Sequence, residues 1–211
     1  ESLVVLDNYK TQPLVYGNKE ASLHDIGDGV LCLEFHSKMN AIGSGTLAAI
    51  NRSIEIAESE GWKGLVIGND APNFSAGANL AMMLMLAIEQ EFDELNVAIK
   101  YFQNTVMRLR YSSIPVVIAP HGLTLGGGCE MTLHADSAVA SAETYIGLVE
   151  AGAGLIPGGG GTKEFVLRTS DGFTAIDPQL PALQDRFSTI ATAKVATSAH
   201  EAFEIGVMHN D

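Results

Sequence analysis

The chain is poor in cysteine, in basic residues and in long apolar runs, and each shortage removes a class of protein. Only two cysteines occur among 211 residues, Cys32 and Cys129, far apart and in apolar surroundings. They make no disulfide framework, and a reducing cytoplasm is the expected setting. No partner histidine is placed for Cys129 by the sequence, so packing is its expected role rather than nucleophilic attack. Twelve Lys and Arg stand against 25 Asp and Glu, a formal net charge of −13. Nucleic acid and anionic membranes reward a basic surface, so neither is an expected partner. An anionic small ligand is compatible with this charge where local lysines, helix N-termini or backbone N–H groups meet it. The longest apolar stretch, Leu80 to Ile88, is far short of the roughly 20 residues a spanning helix needs. The opening Glu1-Ser-Leu-Val-Val5 has neither an initiator Met nor a basic region. No signal peptide is expected there, and the sequence reads as a piece of something longer.

What is present describes a folded α/β domain: 46% hydrophobic and 18% charged residues over a length that buries one sizeable core. Val30–Phe35 is β-rich between glycines and reads as a strand. Ser44 is placed to cap a helix whose apolar positions Leu47, Ile50, Ile54 and Ala57 keep helical spacing until Gly61. Gly64–Gly68 and Val116–Ala119 read as short buried strands, and 137–142 as another. From Glu91 to Arg110, Phe92, Leu95, Ile99, Phe102, Val106 and Leu109 form an amphipathic stripe expected to be core. Residues 169–181 read as loop, followed by helices over 181–195 and 198–205, the second opened by the capping box Ser198-Ala-His-Glu201. Strands alternating with helices define the α/β class.

The chemistry concentrates in Gly122-Leu-Thr-Leu-Gly-Gly-Gly-Cys-Glu130, with Glu150 and Pro157-Gly-Gly-Gly-Gly-Thr162 downstream. Gly126, Gly127 and Gly128 open the backbone N–H groups to close approach by a ligand. Glu130 stands at the start of an apolar run read as a helix over 129–135. Peptide donors beside a carboxylate suit an oxyanion hole with a general acid/base, which is machinery for carbonyl chemistry. The 158–161 run lacks the Gly-Lys-Ser/Thr ending of a phosphate-binding loop, so tight backbone packing beside the site is its expected use. Glu130 and His134, four apart, make two potential metal ligands without a third, and no metal site is expected. Met82, Met83 and Met85 fit an acyl pocket and a core equally well.

Three ordered motifs carry a family resemblance. Phe74-Ser-Ala-Gly-Ala-Asn-Leu80 resembles the F-x-A-G-A-D-[LI] turn of the crotonase (enoyl-CoA hydratase/isomerase) superfamily. Residues 114–130 resemble its K-P-V-I-A-x-V-N-G-x-x-x-G-G-G-x-E segment, and Gly147-Leu-Val-Glu150 through Thr162 its G-x-P-E…P-G-x-G-G-T. Met39-Asn-Ala-Ile42 and Ala202-Phe-Glu-Ile-Gly-Val207 match shorter family patterns. The resemblance implies a crotonase-like ββα superhelix with C-terminal helices, assembled as a homotrimer or hexamer. It divides the chain into a leader or linker over 1–21, a core over 22–168, and an insertion loop with a truncated helical part over 169–211. It implies that the N–H groups of Ala78 and Gly127 form an oxyanion hole for a thioester carbonyl. It implies that Lys38, Ala76, Ala78, Asn79, Leu80, Ala81, Gly126 and Gly127 meet an acyl-CoA substrate, with no separate cofactor. Glu130 and Glu150 match the two glutamates of hydratases, which favours hydration of a 2-enoyl thioester in β-oxidation. An isomerase, another CoA-thioester enzyme, or a non-catalytic oligomerisation domain are the alternatives.

The chain departs from the family pattern at Asn79, Ala81, Val149 and His121, where Asp, Lys, Pro and Asn are usual. The first two weaken the expected coenzyme A contact, for which Lys38 is a substitute. The 169–186 stretch is similar to the hydratase parts of bifunctional proteins fused to an NAD-dependent 3-hydroxyacyl-CoA dehydrogenase. No G-x-G-x-x-G opens a strand-to-helix unit here, so dehydrogenase activity is not expected within these residues.

Overall fold

A computed structural model describes residues 4–174 and 176–208. The first half runs β1 (Tyr16–Gly17), β2 (Ala21–Asp25), β3 (Val30–Phe35), α1 (Ser44–Glu60) and β4 (Gly64–Gly68). The middle contains α2 (Leu80–Ile88), α3 (Phe92–Arg110), β5 (Val116–Ile118), β6 (Gly122–Leu125) and α4 (Gly127–His134). The rest comprises β7 (Ser137–Ala138), β8 (Thr144–Gly147), α5 (Gly161–Asp171), α6 (Gln179–Ala191) and α7 (Ala199–Glu204).

One sheet has the order β1-β2-β3-β4-β5-β7, and β6 pairs with β8 in a second. The β1–β2 and β2–β3 pairs are antiparallel, whereas β3 to β4, β4 to β5, β5 to β7 and β6 to β8 are parallel. Parallel neighbours need a crossover, and α1 supplies it between β3 and β4. Helix α1 lays Leu47, Ile50, Ile54 and Ala57 on the sheet, where they join Leu31, Leu33, Leu65, Ile67 and Ile118 in the main core. Burying each such Leu or Ile contributes about 1.5–3 kcal/mol.

Several sequence expectations change. Ser44 does not cap α1. Gly43 is the N-cap, and the Glu20 carboxylate takes the Thr46 N–H at 2.7 Å, doing the capping from another element. Gly61 ends α1 as expected, in the left-handed region at φ 77°. The stripe on α3 is core only in its second half. Phe102, Val106 and Leu109 are buried, but Phe92 is 60% exposed because α2, its neighbour, buries none of its own residues. The loop expected over 169–181 is shorter, since α5 runs on to Asp171 and α6 starts at Gln179. Residues 4–21 contribute a helical turn at Leu6–Asn8, the edge strand β1 and the start of β2. Short strands β1, β2, β6 and β8 carried no readable alternation, and β7 is two residues where six were expected. Ser198 caps α7 by accepting the Glu201 N–H at 3.1 Å, and Glu201 Oε2 answers on the Thr197 N–H. Among the described residues no helix is long and apolar enough to cross a membrane.

Candidate active site

Three backbone segments converge at the end of β6. Ser75 joins them: its N–H donates to Leu123 O and its carbonyl accepts from Leu125 N–H, both at 3.0 Å. Its hydroxyl donates to Asn40 O at 2.7 Å and accepts the Gly77 N–H at 3.1 Å. Ile42 N–H then donates to Gly77 O at 2.8 Å, so the 39–42 and 75–78 segments are stitched together. Gly77 has φ 90°, and a Cβ there would stand 2.8 Å from Leu125 O and 3.3 Å from Gly127 N. Glycine is required at that contact, because only a bare Cα lets the 75–78 turn lie against the start of α4. Ala78 therefore sits beside Gly127. Neither its N–H nor that of Gly127 donates to another described residue, which leaves two neighbouring peptide donors for a ligand.

The two glutamates flank these donors. Gly126 turns the chain from β6 into α4 at φ 52°, and a Cβ on it would lie 2.9 Å from Glu150 Oε1. The Glu150 carboxyl thus rests against the Gly126 Cα. Glu150 opens a short helical turn, Glu150–Ala153. Its Oε2 is buried and has no hydrogen-bond partner among the described residues. Burial raises the Glu150 pKa, partly countered by the nearby N–H groups of Glu150 and Val149. An unsatisfied buried carboxyl oxygen is costly, so it fits a group held protonated or reserved for a ligand.

Glu130 lies one helical turn on from Gly126, whose carbonyl accepts its N–H at 2.9 Å. It is 3% exposed. Its Oε1 accepts the Gly159 N–H at 2.8 Å and the Gly161 N–H at 2.9 Å. Burial pushes the Glu130 pKa up to about 7; the Glu150 charge adds to the rise, and the Gly161 and Gly159 donors oppose it. The glycine run after Pro157 therefore packs tightly, as expected, and also ligates the first glutamate. Phe102 walls the same space: a Cβ on Gly127 would stand 3.0 Å from its Cζ and 3.1 Å from Ile42 Cδ1.

The other expected contact residues divide. Lys38 belongs to a helical turn, Lys38–Asn40, that touches the site loop through the Ala76 N–H donating to Met39 O at 3.2 Å. Gly126, Gly127, Ala76 and Ala78 are brought together. Leu80 and Ala81 instead begin α2 and are exposed, and Asn79 caps that helix, its side chain accepting the Met82 N–H at 3.2 Å. Asn79 Oδ1 is thus already engaged. Residues the sequence reading missed are Ser75, Phe102 as a site wall, and Gly159 and Gly161 as donors. The last two were visible as a glycine run, but the partner of a peptide N–H is not a sequence property. Burial holds both thiols high, Cys32 at about 12 and Cys129 well above its ordinary range, which argues against either as a nucleophile. Among the described residues no group of three or more His, Cys, Asp and Glu side chains is placed to hold a metal ion.

Comparison with known proteins gives this geometry its context. The chain is 48% identical over 199 residues to a Bacillus subtilis (strain 168) protein named "Probable 3-hydroxyacyl-CoA dehydrogenase", covering 94% of the chain and 25% of that protein. It is 38% identical over 133 residues to a Rickettsia felis protein named as a fatty acid oxidation complex trifunctional enzyme, covering 63% of the chain and 18% of that protein. The chain therefore spans about a quarter or less of the length of these relatives. Among solved structures it resembles an enoyl-CoA hydratase from Polaromonas sp. JS666, with TM-score 0.75, 21% identity, and 89% and 68% of the two chains covered. The enoyl-CoA hydratase of Bacillus anthracis gives TM-score 0.74 at 24% identity, with 90% and 69% covered. At these identities the likeness carries the fold alone, and that fold is the crotonase-like one the motifs implied. The sequence pattern of the enoyl-CoA hydratase/isomerase family matches residues 25–170. The chain belongs to the enoyl-CoA hydratase/isomerase family.

Proposed function

We propose that the chain hydrates trans-2-enoyl-CoA to 3-hydroxyacyl-CoA in fatty acid β-oxidation. The observation that carries this reading is the pairing of two carboxyls with raised pKa values, Glu130 buried and Glu150 half-buried, across the unpartnered Gly127 N–H. The thioester carbonyl oxygen accepts from Ala78 N–H and Gly127 N–H. Negative charge moves onto that oxygen as water adds, and each such donor is worth about 3–4 kcal/mol by analogy with other oxyanion holes. A water held between the glutamates loses its proton to the Glu130 carboxylate while its oxygen bonds to C3. The C2–C3 π pair goes to C2, which takes a proton from Glu150. Two close carboxyls share protons, so one ionised and one neutral partner coexist near neutral pH. A pKa near 7 suits Glu130 to giving and taking protons there.

The coenzyme A portion lies along the Ala76–Ala78 loop, with Lys38 supplying positive charge, and the reaction needs no further cofactor. By analogy with its relatives, the chain works within a longer protein that also carries a 3-hydroxyacyl-CoA dehydrogenase, in the cytoplasm. A homotrimer or hexamer is the assembly proposed. The test is loss of the conjugated thioester absorbance of crotonyl-CoA and of longer enoyl-CoAs. Turnover that survives Glu130→Gln or Glu150→Gln contradicts the two-carboxylate mechanism, and no turnover at any chain length contradicts the reading itself.

A further inference from the structure

Next to Glu130 lies a polar knot around His134 that the proposed chemistry does not use. His134, at the last turn of α4, is fully buried. Its Nδ1 is 2.7 Å from the Glu130 carbonyl oxygen, which only accepts, so Nδ1 carries the hydrogen. Nε2 is then a lone pair, and Lys163 Nζ donates to it at 3.1 Å. Both ring nitrogens are engaged, and the orientation of the imidazole is set. The ring meets Gly160 on one side. A Cβ on Gly160, which has φ 107°, would stand 3.0 Å from His134 Cε1 and Nε2. Gly160 lies between the two residues whose N–H groups donate to Glu130 Oε1.

We infer that His134 is a positioning residue for the Glu130 carboxyl: its clamped imidazole carries Gly160 and so holds the turn that aims the Gly159 and Gly161 N–H groups at Oε1. The inference rests on the proposed role of Glu130 for its consequence in turnover, but not for its geometry. The groups facing His134 are Lys163 and Glu164 of α5, Arg110 of α3 and the Glu130 carbonyl of α4, with Arg168 of α5 beyond them on Glu164. Glu150 is the titratable group that faces the Glu130 carboxyl. Burial, with the Lys163 and Arg110 charges, lowers the His134 pKa to about 4 against the Glu164 charge, so the ring is neutral while Glu130 titrates. Replacing a neutral ring removes no charge. A rise in the Glu130 pKa therefore reports lost donors, since water admitted by a shorter side chain would lower it.

The experiment compares His134→Asn with His134→Gln. Asn keeps a donor near the Glu130 carbonyl but is too short to reach Gly160, whereas Gln places its amide near the Nε2 position. In the folded proteins, the Gly159 and Gly161 amide proton shifts are followed against pH to read the Glu130 pKa. The pH profile of kcat/KM on crotonyl-CoA is followed in parallel. His134→Asn is expected to raise the Glu130 pKa by about one unit, since a carboxylate that loses peptide donors is harder to ionise. His134→Gln is expected to titrate close to the wild type. An Asn variant titrating like the wild type, or a Gln variant shifted as far as Asn, overturns the inference. The amide titration needs no turnover, so a wild type that hydrates nothing defeats the proposed function without touching this result.

Discussion

Two buried glutamates lie on either side of the α4–α5 contact, and their environments drive them in opposite directions. Glu130 is ligated only by peptide N–H groups and sits within reach of a second carboxyl, so burial prevails and its pKa rises to about 7. Glu164 is fully buried too, and burial alone would raise it. Lys163 Nζ stands 2.6 Å from its Oε1 and Arg110 Nη1 2.7 Å from its Oε2, with Arg168 Nε at 3.6 Å. Those cations prevail, and its pKa falls. The difference teaches that depth does not decide whether a carboxyl is chemically available at neutral pH. The number of cations within reach does. Among the described residues no cation is paired with Glu130, whereas three lie against Glu164.

The comparison breaks most visibly at the site. Glu130→Gln keeps an acceptor for Gly159 and Gly161 but cannot take a proton, and kcat on crotonyl-CoA should fall about 10²- to 10⁴-fold. A loss below tenfold would deny Glu130 its role. Glu164→Gln should leave Arg110, Arg168 and Lys163 without their shared anion, destabilising the fold by about 3–5 kcal/mol in urea titrations near pH 7. A midpoint within error of wild type would show the cations to be solvated instead.

The two sites should also give opposite pH slopes. Glu130 has a folded pKa above its ordinary value of 4.5, so its stabilising contribution is complete below pH 4.5 and is lost as pH rises through about 7. Glu130→Gln should therefore gain on wild type by up to about 3 kcal/mol between pH 4.5 and about pH 8. Glu164 has a folded pKa below 4.5, so its contribution is present above pH 4.5 and is lost as pH falls through the folded value. A Glu130→Gln advantage that does not grow with pH would mean that Glu130 is not raised. The smallest effect lies on α2, whose residues are none of them buried. Leu84→Ser, at a position 61% exposed, should change stability by less than about 0.5 kcal/mol. Asn79→Ala should cost about 1 kcal/mol through the lost cap, read as faster amide exchange in the first turn of α2.

Legibility in the sequence followed the range of the interactions concerned. The strands β3 and β4, the stop of α1 at Gly61 and the cap of α7 at Ser198 were readable, because each rests on apolar pattern or a bond within a few residues. The cap of α1 was not, since its acceptor is Glu20, in the chain segment before β2. The stripe from Phe92 to Leu109 has one periodicity, yet only its second half finds α1 and α4 to pack against. The glycine run and Glu130 were readable from residue chemistry, Ala78 and the pairing with Glu150 from motif resemblance, and the structure brings those positions together.

The sequence by itself determined that this is a negatively charged α/β chain of the enoyl-CoA hydratase/isomerase family, with glycines where peptide groups must approach closely. Those properties are local: composition, short-range spacing, and residues without a Cβ. Only the tertiary structure decided which carboxyl is raised and which is lowered, that Gly159 and Gly161 ligate Glu130, and that His134 supports the turn between them. A pKa depends on charges and donors within a few ångströms, whatever their separation along the chain, and only folding sets those distances.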